Sequence, residues 1–439
     1  MKILFAAAPF GGHVNPLLGV AHQLSQRGYD AAFYTGTAML QTVRQSGIDA
    51  FAFPSEVDFD ASDLDRAFPE RKQRSAGIER VVFDFTSFFI GPMASHYHRL
   101  QQVLEAFDAD AIVYEQLFFG AIPFLFQPRY ERPALIGCGI TFLTTPRQDH
   151  APHGPALPFA TDEATRLSYR NEALPSVAKA REPLQDLYAR ELDKLGIDAA
   201  GTSFGNVGTL RADAYWQMTV PSFEYPQDVA ATNIIFTGAI PQVPSNTQLP
   251  SWAGDVAQFE RVVLVTQGTV ANEDFKALVQ PTLDALADEP DTLVIVTAGG
   301  RNADAIGGDI PRNARIASYL PFDWLLPQID LLITNGGYGT VTQALAAGVP
   351  IIVAGSTEDK PEVAARIAWS GVGINLQTGS PTPQAIRDAY RRIFAESTFR
   401  DRAQALQDEF GRIDGMARIE RSLATVVAQK EEARAGHTV

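Results

Sequence analysis

Three groups of residues in this 439-residue chain have the types and spacing to do chemistry. His13 follows the apolar run at residues 2–8 and the pair Gly11 and Gly12, at the exit of what reads as the first strand. A neutral imidazole there can take a proton near pH 7. Glu115 ends the run DAIVYE, residues 110–115, which reads as another strand whose carboxyl end lies at the same edge. A carboxylate bonded to the second imidazole nitrogen would fix the tautomer and stabilise the imidazolium, so His13 and Glu115 form a candidate general-base dyad. The third group is LLITNGGYGTVTQALAAGVP, residues 331–350: a buried strand, a turn holding Gly336, Gly337 and Gly339, and a helix over 340–347 stopped by Gly348 and Pro350. Glycines let the backbone approach a ligand closely, and the free N–H groups of a helix's first turn suit a phosphate, so this loop and Thr340 read as a diphosphate site. Each group also has a purely structural reading: glycines kept for packing, a helix-entry histidine bonded to backbone, a solvated carboxylate at a strand end.

The elements that must position these groups read as alternating strands and helices. Strands are expected at 2–8, 29–35, 49–54 and 110–115, with one helix N-capped by Asn15, carrying Pro16 in its first turn and closed by Gly28, and another ending near Gly47. That order predicts a parallel, doubly wound sheet, whose ligands sit at the carboxyl ends of its strands. Phenylalanines crowd residues 83–130; most suit a core, while Phe85, Phe88 and Phe118 are candidates to line an apolar acceptor pocket. Residues 140–235 lose periodicity and read as loops and irregular helices. Three prolines within 237–254 mark an interdomain linker. Alternation then resumes, with a strand at 261–269, a helix over about 273–288, strands at 292–300 and 314–320, and further units to a last helix. The expected fold class is therefore α/β: two Rossmann-like doubly wound domains, 1–236 and 255–405, facing a cleft.

Composition removes several classes. A net charge of -15 argues against a nucleic-acid or anionic-membrane surface. A single cysteine, Cys138, leaves no disulfide and no thiolate cluster, which suits a reducing, cytoplasmic setting. No run of about 18 apolar residues predicts a membrane span, and the opening MKILFAAAPF reads as a buried strand instead of a leader. GTSFG at 201–205 has the G-x-S-x-G pattern, but neither a strand before it nor a good helix start after it supports Ser203 as a nucleophile. DFD at 58–60 and DAD at 108–110 are matches that an acidic chain produces by chance, so no metal is expected. GGHVNP is not G-x-G-x-x-G, so a dinucleotide cofactor is not expected either.

Together these stretches resemble the UDP-glycosyltransferase superfamily (glycosyltransferase family 1, GT-B fold), in its bacterial branch, over nearly the whole chain. GGHVNPLLGVAHQLSQRG is similar to that family's opening, whose histidine is the general base, and DADAIVYE to the strand that ends in the base's carboxylate partner. YLPFDWLLPQIDLLITNGGYGTVTQALAAGVP resembles the donor-nucleotide motif, QGT at 267–269 the phosphate-side loop, and DKP at 359–361 the Asp-Gln-Pro that holds the donor sugar. The resemblance implies catalytic roles for His13 and Glu115. It puts the donor diphosphate on Thr269, Asn335, Gly337, Gly339 and Thr340, the ribose on Gln343, and the sugar on Asp359 and Lys360. Four positions depart from the family pattern: Asn335 stands for a histidine, Gln343 for a glutamate, Lys360 for a glutamine and Glu115 for an aspartate. Asn and Gln keep hydrogen-bonding capacity without charge. At Lys360 a cation could favour another hydroxyl pattern or an acidic sugar, or could pair with Glu358 or Glu362. The resemblance also implies that the last helix, 406–439, packs back on the first domain.

The resulting expectation is an inverting, metal-independent glycosyltransferase. It would move a sugar from a UDP- or dTDP-sugar to a hydroxyl of a small apolar acceptor, with no cofactor beyond the nucleotide-sugar co-substrate. It would act as a monomer or homodimer. The alternatives are a non-catalytic sugar-nucleotide-binding protein and a metal-dependent transferase.

Overall fold

The computed structural model of the chain describes residues 1–75, 77–228, 231–239, 243, 248–268 and 274–437. Thr269 and part of the 237–254 segment lie outside the described residues. Strand β1 (Lys2–Ala6) is followed by β2 (Asp30–Thr35), β3 (Asp49–Ala52), β4 (Ala111–Glu115), β5 (Ala134–Gly139), β6 (Ala214–Gln217) and β7 (Ile234–Phe236). These form one parallel sheet in the order β3-β2-β1-β4-β5-β6-β7. The second sheet comprises β8 (Arg261–Thr266), β9 (Thr292–Thr297), β10 (Ala314–Ala317), β11 (Leu331–Thr334), β12 (Ile351–Val353) and β13 (Gly373–Asn375), in the order β10-β9-β8-β11-β12-β13. Runs such as TLVIVT and LLIT are buried along their whole length, as strands covered by helices on both faces must be. Each sheet accordingly has two cores, one per face.

Both sheets reverse direction of growth at one place, between β1 and β4 in the first and between β8 and β11 in the second. Crossovers leave in opposite directions there, which opens a crevice at the carboxyl ends of the strands. The register Ala6↔Tyr114 brings the loop after β1 beside the end of β4, and Thr334↔Thr266 brings together the loops after β11 and β8.

Four expectations need correction. The first helix runs Gly11–Ser25 with extended Phe10 as N-cap, so Asn15 and Pro16 lie inside it and His13 belongs to its first turn. Val14 N–H reaches the Phe10 carbonyl at 2.9 Å, so the two glycines enter the helix instead of forming a loop before it. Within 140–235, β6 and β7 extend the sheet; AYWQ is buried at every position, so it shows no alternation to read. The helix expected from about 273 begins at Val279. Asp274 accepts from the Lys276 N–H, an Asx turn that competes with helix, and the Gln267 side chain accepts from the Val279 N–H. Finally, one helix runs Ser397–Gly411 on the second domain before the last, Gly415–His437. The change of domain thus falls at 412–414. Ile419, Leu423 and Val426 of the last helix pack with Ile3, Phe5 and Trp216 of the first domain, and Trp216 Nε1 donates to Ser422 Oγ at 3.1 Å.

Candidate active site

The first helix presents His13 over the end of β4, where Glu115 is fully buried. His13 Nδ1 lies 3.0 Å from Glu115 Oε1, and the His13 side chain keeps 18% of its surface exposed. Glu115 also accepts from the N–H groups of Ala8 and Leu117, so Oε1 is held by the ring and by backbone, and Oε2 by backbone. A carboxylate only accepts, so Nδ1 carries the hydrogen and Nε2 offers its lone pair. Burial pulls the His13 pKa down, but the charge and hydrogen bond of Glu115, then the charges of Asp359 and Glu358, raise it further, and the net shift is upward. His96 behaves oppositely. Buried beside Tyr34, Phe53 and Phe118, it is pushed down to about 3 and stays neutral.

Two phenylalanine rings flank the imidazole, Phe10 with centroids 5.0 Å away and Phe89 at 5.9 Å. Phe88 and Phe59 continue this ring cluster, and Phe68 extends it. Of the expected acceptor residues, Phe88 joins this cluster and half-buried Phe85 reaches it through Phe89. Phe118 instead packs on Tyr34, Phe53 and His96. Phe10 and Phe89 were not singled out by the sequence reading. The density of phenylalanine around residue 89 was the only signal for the latter.

In the second domain the helix Tyr338–Ala346 starts two residues earlier than expected, with Gly337 as N-cap. Val341 N–H bonds Gly337 O at 3.0 Å, which leaves Tyr338, Gly339 and Thr340 with N–H groups in the first turn, where no intrahelical acceptor exists. Gly336 holds a φ of 94°, and a Cβ there would meet Val353. Asn335 Nδ2 donates to Gln267 O at 2.6 Å, which ties the β11 loop to the β8 loop across the reversal. Gln343 stands half-exposed one turn beyond Gly339 on the same helix face.

Asp359 is the N-cap of the helix Lys360–Ser370 and accepts from Thr141 of the first domain. Lys360 is 6% exposed, and its ammonium pairs with Glu358, whose φ of 57° is left-handed. Glu362 is not its partner: that carboxylate accepts from the Gly154 and Ala156 N–H groups and from Arg366. Glu358 and Asp359 thus belong to the second domain yet bear on His13 of the first, so the two reversal points face each other. Among the described residues no group of three or more His, Cys, Asp or Glu is arranged to hold a metal, and no helix is long and apolar enough to cross a membrane.

Two parallel α/β domains whose reversal loops meet across a cleft define a GT-B glycosyltransferase architecture. Residues 280–412 match the Erythromycin biosynthesis protein CIII-like, C-terminal domain. The chain is 33% identical to UDP-glucosyltransferase A1 of Starmerella bombicola, over 97% of this chain and 92% of that protein. It is 36% identical to 4'-demethylrebeccamycin synthase of Lentzea aerocolonigenes, over 94% of this chain and 97% of that protein. Spinosyn rhamnosyltransferase SpnG complexed with thymidine diphosphate shares the fold, with a TM-score of 0.67 at 17% identity, covering 97% of this chain and all of that one. The chain belongs to the UDP-glycosyltransferase superfamily and is a glycosyltransferase.

Proposed function

We propose that this glycosyltransferase transfers a sugar, with inversion and without a metal, from a nucleoside-diphosphate sugar to a hydroxyl of a small apolar acceptor. The observation that carries this reading is the His13–Glu115 pair at the reversal of the first sheet, opposite the donor loops of the second. His13 Nε2 takes the acceptor hydroxyl proton as that oxygen attacks the anomeric carbon. The bond from that carbon to the diphosphate oxygen breaks, and the nucleoside diphosphate leaves with the electron pair. Glu115 holds the ring and compensates the imidazolium.

The first-turn N–H groups of Tyr338, Gly339 and Thr340, with the positive end of the helix dipole, are suited to stabilise the leaving charge. Asn335, Gly337 and Thr269 belong to this diphosphate site, Gln343 to the ribose, and Asp359 and Lys360 to the sugar. The Starmerella bombicola relative is named a UDP-glucosyltransferase and the spinosyn enzyme is complexed with thymidine diphosphate, which supports a UDP- or dTDP-linked donor. The ring cluster beside His13 supports an apolar acceptor, in keeping with natural-product glycosylation.

The test is His13→Ala, assayed with UDP- and dTDP-sugars against substituted phenols. Donor binding should persist while the rate falls roughly 100- to 10,000-fold. Phenols that ionise easily should lose least. An unchanged kcat rejects the mechanism.

A further inference from the structure

We infer that Phe89 is a positioning residue for the base, its ring setting the plane of the His13 imidazole. The inference rests on the reading of His13 as general base. One hydrogen bond, from Nδ1 to Glu115, fixes one vertex of the imidazole but leaves the ring free to swing about that contact. Aiming the Nε2 lone pair at an acceptor requires the plane to be fixed as well. Phe89 lies nearly parallel to His13, 9° between planes with centroids 5.9 Å apart, an offset stack. Phe10 closes a triangle of rings, 5.0 Å from His13 and 5.9 Å from Phe89. Phe88, 4.8 Å from Phe89, buttresses it from the other side chain of the same turn.

The backbone that presents Phe89 is itself unusual. Residues Phe85–Phe89 form one turn of π-helix, in which the Ile90 N–H reaches back five residues to the Phe85 carbonyl at 2.7 Å. Such single turns insert one residue into a helix and rotate the side chains that follow, and they recur at functional sites. A Cβ at Gly91 would run into the Thr86 carbonyl oxygen, so the turn depends on a glycine just after it. The wide turn and its glycine bring Phe88 and Phe89 inward together. The charged groups that bear on His13 come from elsewhere: Glu115 from β4, and Asp359 and Glu358 from across the cleft. Phe89 therefore acts on the orientation of the base, separately from its charge environment.

Phe89→Leu keeps most of the apolar volume and removes the flat face; Phe89→Tyr keeps the face. With UDP-glucose or dTDP-glucose as donor and substituted phenols as acceptors, Phe89→Leu should lower kcat about 10- to 100-fold, the scale of a misaimed reacting group. Phe89→Tyr should stay near the parent, and free UDP and dTDP should bind both variants as they bind the parent. In a His13→Ala background the loss caused by Phe89→Leu should vanish, because there is no ring left to orient. A second measurement needs no turnover: ¹³C relaxation of the His13 imidazole should report a rigid ring in the parent and added ring motion in Phe89→Leu, with the Nδ1–H tautomer held by Glu115 in both. A parent-like rate for Phe89→Leu, a loss of equal size in both backgrounds, or an imidazole as rigid in Phe89→Leu as in the parent overturns the inference. If His13→Ala alone is silent, the base reading fails; if His13→Ala is severe and Phe89→Leu is silent, only the positioning role fails.

Discussion

The hydroxyl of Tyr338 donates to Oε1 of Glu224 at 2.9 Å, which fastens the first residue of the helix Tyr338–Ala346 to the first domain. Gln217 Nε2 donates to the same hydroxyl at 2.7 Å, and Arg366 Nε reaches the other Glu224 oxygen at 2.8 Å. Arg366 also holds Glu362 at 2.9 Å, and all of these side chains are buried. The helix Tyr338–Ala346 is therefore registered against the domain that carries His13 by a buried, charged network instead of by apolar contact alone, in which Gln217 Oε1 and Arg366 Nη2 have no hydrogen-bond partner among the described residues.

Tyr338→Phe keeps the ring and removes one hydrogen bond to a buried carboxylate, so it should cost about 1–3 kcal/mol of unfolding free energy. Urea titration measures this. Nucleotide affinity should weaken in the same variant, because the helix that offers its N–H groups loses its anchor. Unchanged stability and unchanged affinity would show the network to be incidental.

Glu115→Gln retains an acceptor oxygen for the Nδ1–H of His13 and loses the charge. The rate should fall while the fold persists, since the amide orients the ring but cannot compensate an imidazolium. Kinetics and thermal unfolding on the one variant check this. Activity equal to the parent would leave Glu115 a structural carboxylate.

The acid limb of kcat/KM should have its midpoint above 6.5, the ordinary value for histidine, because the Glu115 charge and hydrogen bond with Asp359 and Glu358 outweigh the lowering by burial. The sign for stability follows from the same shift. The folded protein favours protonated His13, so this stabilisation is complete below the unfolded value and is lost as pH rises through the folded one. Glu115→Gln should move the kinetic midpoint down and flatten stability over that window. A midpoint at or below 6.5 in the parent contradicts the prediction.

Lys360→Gln frees Glu358 and places an amide, with both acceptor and donor groups, beside the glycine loop. The ratio of kcat/KM between competing donor sugars should shift by about 5-fold or more, as a hydrogen bond made to one sugar alone is worth roughly 1–3 kcal/mol. Free nucleotide should bind as before. A flat ratio accompanied by a small change in melting temperature makes Lys360 only the ion partner of Glu358.

Transfer should proceed at the same rate in EDTA. Loss of activity on chelation, restored by Mg²⁺ or Mn²⁺, would show that the diphosphate needs a cation as well as the helix N-terminus.

The sequence by itself is enough for the two α/β domains and marks His13, Glu115 and the glycine loop as candidates. Those signals are local: buried strands are short apolar runs, and glycines punctuate loops at fixed offsets from them. Asn15 and Pro16 mimic a helix cap that lies inside the helix Gly11–Ser25, and β6, buried at every position, has no period to read. Tertiary structure alone decided which groups meet. Glu224 and Tyr338 are 114 residues apart, and His13 and Glu115 are 102 apart. Phe89 reaches His13 only through a π-turn, and Lys360 turns to Glu358 although Glu362 is equally near in sequence. Side chains so separated are joined by sheet order and by the packing of one domain on the other, and neither leaves a local periodicity along the chain.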